Sequence, residues 1–201
     1  MKLLLTAFEP FGNDTINSAM ETIKLIGDEI AGATIVKKYL PVIFDKAGEL
    51  LHDIIEKEKP DVVLCIGQAA GRSEITPEVI AINLQDSIAQ DNEGNCPYEQ
   101  KCMPDGKNAY FSNLPNKKIV EAIKSKNISS RLSYSAGTYV CNDVMYTLMY
   151  YIENEFPSIV GGFIHVPILN TQVKENTIPS MSIDQIVVGI EIAINTIIKN
   201  L

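Results

Sequence analysis

The chain has 201 residues, 46% of them hydrophobic and 21% charged, a balance that supports a soluble globular domain with a full core. Its 25 acidic against 17 basic residues leave a net charge of -8, which argues against nucleic acid as a partner, since phosphate binding needs clustered Lys and Arg. No apolar run reaches the roughly 18 residues of a membrane span, and Met1-Lys2-Leu3-Leu4-Leu5 is interrupted by Glu9-Pro10, so it predicts a core strand rather than a leader, and a cytoplasmic protein.

Residues 2–8 are an apolar run, a buried strand with Glu9-Pro10 as its exit. Residues 17–30 place Ala19, Ile23, Ile26 and Ile30 at helical spacing, with Gly32 as a stop, and predict a helix. Residues 33–42 read as a strand ending at Pro41, and 45–59 as an amphipathic helix closed by Pro60. Residues 61–67 form a continuous apolar strand of the kind buried on both faces of a parallel sheet. A second strand-like segment covers 79–84. Residues 85–113, rich in Asp, Asn, Gly and Pro, predict a long loop or hairpin excursion with a functional or interface role. A helix over 115–126, a short strand over 131–135, a helix over 142–155 and a strand over 160–166 follow. The last helix, 182–200, starts with the capping-box pair Ser182 and Gln185. Alternating strands and helices predict an α/β fold, a three-layer α/β/α sandwich around a largely parallel, mixed central sheet, as one domain over 1–201. Sites in such folds form at the carboxyl ends of strands. Phe8 to Gly12, Gly67 to Arg72, the turn before Cys141, and His165 all fall there.

Cys141 stands at the mouth of a predicted helix, just after a glycine-bearing turn. Free N–H groups and the positive end of the helix dipole favour an anion there, so a thiol at that point is more readily a thiolate. Cysteine catalysis needs a base, usually histidine, and the chain has two. His52 lies inside an amphipathic helix and reads as a partly exposed helix residue; His165 lies where a strand ends and the chain turns. Cys65, between Leu64 and Ile66, reads as an inert core thiol. Cys96 and Cys102 flank a short polar loop, match no metal pattern and read as free thiols. A triad also needs a group to orient the imidazole. Carboxylates are too many for composition to choose one, though Glu78, opening the run Glu78-Val79-Ile80-Ala81-Ile82-Asn83, draws notice.

The motifs together resemble those of the pyroglutamyl peptidase I family of cysteine peptidases. Thr6-Ala7-Phe8-Glu9-Pro10-Phe11-Gly12 is similar to TGFEPFG, Leu40-Pro41-Val42 to LPV, and Gly67-Gln68-Ala69-Ala70-Gly71-Arg72 to GQAGGR. Asp91-Asn92-Glu93-Gly94 resembles DNxG, and Ala109-Tyr110-Phe111-Ser112-Asn113-Leu114-Pro115 resembles AYFSxLP. The stretches from Ser135 to Asn142 and from Gly162 to Pro167 nearly repeat the family's own. The resemblance implies a catalytic triad of Glu78, Cys141 and His165, a thioester acyl-enzyme, and removal of N-terminal pyroglutamate from peptides without metal or cofactor. It also implies a homodimer or homotetramer. Pyroglutamate is a flat neutral lactam, so its site needs apolar ring faces and polar partners for the lactam N–H and C=O. Phe8 and Phe11 suit the faces, Gln68 offers donor and acceptor, and Val140 is placed to line the pocket.

The chain departs from the family pattern at several positions. Ala7 replaces a glycine, Asn17-Ser18 stands where the family has Asn-Pro, and Val79 and Ile88 stand where relatives carry arginine. Val79 and Ile88 motivate one alternative, a catalytically weak or inactive relative that binds a pyroglutamyl-like ligand. A second alternative, another thiol hydrolase such as an amidase, would be supported by a Gly-x-Cys-x-Gly elbow, and none surrounds Cys141.

Overall fold

The computed structural model describes residues 1–173 and 178–201. In chain order the elements are β1 (Lys2–Phe8), α1 (Ser18–Leu25), β2 (Glu29–Ile30), β3 (Ala33–Leu40), α2 (Lys46–Glu58), β4 (Val62–Gln68), β5 (Thr76–Pro77), β6 (Ile80–Ile82), β7 (Ala109–Phe111), α3 (Asn116–Lys124), α4 (Val140–Asn154), β8 (Val160–Val166) and α5 (Ile183–Ile198). Among the described residues six strands form one sheet in the order β2-β3-β1-β4-β8-β5. The inner four run parallel, and β2 and β5 are antiparallel edges. The expected three-layer sandwich with a largely parallel, mixed sheet is therefore the fold.

The alternation of side chains along the central strands divides the core in two. Leu3, Leu5, Leu64, Ile66 and Ile164 face α1, α3 and α5. Leu4, Phe8, Val63, Cys65 and Phe163 face α2 and α4. Both faces are covered, which is why β1 and β4 read as unbroken apolar runs rather than alternating ones. The register aligns Gly67 with His165 and Gln68 with Val166, so the ends of β1, β4 and β8 bring Phe8, Gln68 and His165 to one edge of the sheet.

Two local expectations are corrected. The helix predicted over 17–30 ends at Leu25, and Ile26 is already extended (ψ 137°). Ala31 and Gly32 both take positive φ, 51° and 79°, a two-residue hairpin turn, and Glu29–Ile30 then pairs with β3 instead of continuing the helix. The strand predicted over 131–135 reduces to single bridges from Ser130 to Ile75 and from Ser133 to Glu78. Pro77 lies between those contacts and has no N–H to continue a ladder. The excursion 85–113 takes the hairpin form of that expectation, because β7 returns to pair antiparallel with β6. At α5 the Ser182 hydroxyl accepts from Gln185 N–H as expected, while the reciprocal arm closes on the hydroxyl itself, Ser182 Oγ donating to Gln185 Oε1.

Candidate active site

Cys141 is the second residue of α4, after an extended Tyr139 that caps the helix without a side-chain bond. Gly137, at φ 80°, makes the preceding turn. The first-turn N–H groups are therefore left pointing at whatever sits over the thiol. The residue is half-buried, but its sulfur packs inward: a Cβ added at Gly67 would lie 3.1 Å from Cys141 Sγ and 2.7 Å from the Phe163 ring. Because Gly67 pairs in register with His165, this packing draws the thiol to the end of β8. Glycine is required at 67 for that approach. We predict that Gly67→Ala lowers kcat at least about tenfold and costs roughly 1–3 kcal/mol of stability by overpacking, measured by steady-state kinetics and thermal melting.

His165 is 4% exposed, its ring 4.8 Å from that of Phe163. Its Nδ1 lies 2.7 Å from Glu78 Oε1. Glu78 is fully buried in the turn between β5 and β6, fixed there by its N–H to Phe163 O (2.9 Å) and by Asn116 Nδ2 on its carbonyl (3.1 Å). The same Oε1 takes Arg72 Nη1 at 2.6 Å. Arg72 is held in turn by Thr76 Oγ1 and the Ser135 carbonyl. The structure thus joins Glu78 to His165 directly, packs Cys141 against the residue in register with His165, and adds Arg72. The clue to Arg72 was available in principle: a buried carboxylate needs a cationic partner, and Arg72 precedes Glu78 by six residues beyond a glycine turn.

The electrostatics correct the expectation of a ready thiolate. Burial, and then the negative charge of Glu78, push the Cys141 thiol up to about 12, with Arg72 opposing. Both act against the helix-terminus effect. Burial also lowers His165 from its ordinary value, against the hydrogen bond and charge of Glu78. Burial disfavours the Glu78 carboxylate, yet its bond to His165 and the charge of Arg72 hold it below the usual range. At neutral pH the group is a thiol, a neutral imidazole donating Nδ1–H, and a carboxylate–guanidinium pair. The Nε2 lone pair is then free to act as a base.

Beside Cys141 lies a small pocket of about 50 Å³, lined by Phe8, Phe11, Asn17, Val42, Gln68, Tyr139, Val140 and Cys141. All four residues predicted to hold substrate are in its wall. Asn17, Val42 and Tyr139 were not predicted. Tyr139 meets Phe44 edge-to-face at 5.2 Å and Phe11 at 6.1 Å, which makes one side of the pocket aromatic. The expectation for Gln68 needs narrowing, because its Oε1 already accepts from Ser18 N–H and Gln172 Nε2. A larger groove of about 580 Å³, lined by Ile16, Leu25, Leu169 and Ile183 among others, shares none of these residues.

The 85–100 segment ties the pocket loops together. Asp91 accepts from Phe44 N, Glu93 N, Asn95 N and Asn95 Nδ2. Asn92 reaches Val42 O and Pro10 O, and Tyr139 Oη donates to Gln90 O. Ile88, on the same strap, is fully exposed, and Val79 is half-buried in the turn between β5 and β6. Among the remaining candidates, His52 is on α2 and bonds Glu155 at 2.9 Å while packing on Tyr151. Cys65 is fully buried, which pushes its thiol up to about 12. Cys96 and Cys102 are free, bonded to Ser87 O and Ile82 O respectively.

Comparison with known proteins agrees with this geometry. A family model described as pyroglutamyl peptidase matches residues 1–200. The pyrrolidone-carboxylate peptidase of Thermosipho melanesiensis is 51% identical over 200 residues, covering 99% of each chain. The crystal structure of Bacillus amyloliquefaciens pyroglutamyl peptidase I superposes with a TM-score of 0.94 at 43% identity, over 98% of this chain and 96% of that one. A mutant pyrrolidone carboxyl peptidase from Pyrococcus furiosus superposes with a TM-score of 0.95 at 38% identity, over the full length of both chains.

Proposed function

Because the chain belongs to the pyroglutamyl peptidase family of cysteine peptidases, we propose that it hydrolyses the bond after an N-terminal pyroglutamyl residue, with Cys141 as nucleophile, His165 as base and acid, and Glu78 as the orienting carboxylate. The observation that carries this reading is the Arg72–Glu78–His165 chain, with a thiol at a helix mouth packed against Gly67, the neighbour in register with His165. Cys141 Sγ attacks the pyroglutamyl carbonyl carbon while its proton passes to His165 Nε2. The C–N bond then breaks, and His165 returns that proton to the leaving amine. Water, deprotonated by His165, attacks the thioester, and free pyroglutamate leaves with the thiol restored. The oxyanion of each tetrahedral intermediate is held by first-turn N–H groups of α4, a contact worth about 3 kcal/mol in comparable sites.

Selectivity follows from what the wall contains. Among the described residues of that wall there is no Asp or Glu. An ordinary N-terminal ammonium entering this pocket would lose water and gain no counter-ion from these described residues, a penalty of several kcal/mol. A neutral lactam has no such cost, and Phe8, Phe11, Val42 and Val140 cover its faces. The alternative of an inactive relative is not favoured, since the relatives that the chain matches over nearly its whole length are pyrrolidone-carboxylate peptidases. Purified protein should hydrolyse a pyroglutamyl-arylamide reporter and leave a glutaminyl-arylamide untouched. Binding of free pyroglutamate with no turnover would instead support the binding-protein alternative.

The working form is a homodimer or homotetramer in the cytoplasm, as one domain, with the 85–113 excursion at the interface. Exposed Ile88, Tyr98 and Phe111 on that excursion supply apolar contact area, and four free cysteines suit a reducing compartment. Among the described residues no helix is long and apolar enough to cross a membrane. Sedimentation velocity decides the stoichiometry.

A further inference from the structure

Two backbone N–H groups fix the orientation of two side-chain amides near the ring pocket. Ser18 N–H can only donate, so the Gln68 atom 2.8 Å from it is the carbonyl oxygen Oε1. Leu169 N–H fixes Gln172 in the same way, at 2.8 Å from Gln172 Oε1. Gln172 Nε2 is then the end that faces Gln68 Oε1 at 3.0 Å and the Ile16 carbonyl at 3.4 Å. Both lone pairs of Gln68 Oε1 are therefore engaged. Its Nε2 carries two hydrogens and among the described residues makes one long contact, 3.4 Å to Asp14 Oδ2. Gln68 lines the ring pocket, and Gln172 does not.

We infer that Gln172 is a specificity-determining positioning residue: it locks the Gln68 amide with its N–H end left to serve the pocket, which thereby selects a ring bearing a carbonyl oxygen. A freely turning amide would meet a donor or an acceptor equally well and would discriminate against neither. The locked one gives a hydrogen bond to the lactam C=O and nothing to a ring without it. Ser18 contributes the second half of the lock through a group that proline at that position would lack. This inference rests on the pyroglutamyl reading of the pocket.

Gln172→Glu is the sharpest test, because it keeps an oxygen for Leu169 N–H and puts a carboxylate oxygen in place of the donor that faces Gln68 and the Ile16 carbonyl. The expected result is a rise in KM for the pyroglutamyl-arylamide of roughly tenfold, about what one ordinary hydrogen bond allows, with kcat within about twofold and the melting temperature nearly unchanged. The preference in kcat/KM for the pyroglutamyl over the prolyl reporter, whose ring lacks the carbonyl, falls with it. Gln68→Leu should raise KM at least as much, and the double variant should be no worse than Gln68→Leu alone, because Gln172 acts through Gln68. Should Gln172→Glu unfold, Ser18→Pro removes the other donor at the first position of α1, where proline fits, and is expected to raise KM in the same direction. Unchanged KM and selectivity in Gln172→Glu, with KM raised in Gln68→Leu, overturns the lock and leaves the pocket reading intact. Unchanged KM in both removes the pocket reading itself. Effects of the two substitutions that multiply, accompanied by a lowered melting temperature, make Gln172 merely structural and also overturn the proposal.

Discussion

Cys141→Ala is expected to abolish hydrolysis of a pyroglutamyl-arylamide, a loss of roughly 10⁴-fold or more in kcat, as when the nucleophile of a comparable catalytic unit is removed. Without the thiol no thioester forms, and water would have to attack an unactivated amide directly. What remains is the first-turn N–H field of α4 and the ring pocket, which bind but supply no nucleophile. The variant should therefore still bind pyroglutamate, detectable by calorimetry, and should fold normally. One sulfur atom is removed from a half-buried position, a change of about 1 kcal/mol or less in stability. A burst of arylamine in the wild type, absent from the variant, would report the acyl-enzyme directly. Rapid steady turnover by Cys141→Ala would remove Cys141 from the mechanism.

The parts of this site that were legible in the sequence are those set by local chain geometry. A buried parallel strand is an unbroken apolar run, so β1, β4 and β8 could be read, and with them the edge where Phe8, Gln68 and His165 meet. The helix that presents Cys141 was legible because its stop, Phe156-Pro157, and its turn glycine stand in the chain. What stayed hidden depends on pairs distant in sequence. Glu78 could be selected only through the resemblance, because its identity as the partner of His165 rests on an 87-residue separation closed by the sheet. The false helix turn at Ile26–Ile30 arose because apolar spacing fits either a helix or an edge strand until the turn at Ala31-Gly32 is known. The electrostatic expectation for Cys141 failed for a similar reason. The helix terminus is a local property, but the burial and the Glu78 charge that act against it come from β4 and from the turn after β5.

Glu78→Gln tests that balance, and its expected signature has three parts with different signs. First, kcat falls by roughly 10²–10⁴, the range seen when an orienting carboxylate is neutralised or removed elsewhere. The amide can still accept from Nδ1–H, but it no longer stabilises the imidazolium that forms during attack. Second, the acid limb of kcat/KM moves. In the wild type His165 is already lowered by burial, so activity should persist below the ordinary imidazole value of about 6.5 and be lost only when Nε2 is protonated. Glu78 opposes that lowering, so its removal carries the limb to still lower pH. Third, the thiol responds in the opposite functional sense. The Glu78 charge raises Cys141, so neutralising it lowers the thiol, and alkylation by iodoacetamide at a fixed alkaline pH becomes faster even as turnover slows. A carboxylate that served only to hold the β5–β6 turn would slow turnover and lower the melting temperature together, with neither pH limb nor alkylation moving in these directions. An unshifted acid limb with kcat within about threefold of wild type would show that His165 does not depend on Glu78. In the wild type itself, alkylation should rise through the whole alkaline range with no low-pH thiolate plateau, because the resting pair is thiol and neutral imidazole and the proton moves only when the pyroglutamyl carbonyl arrives.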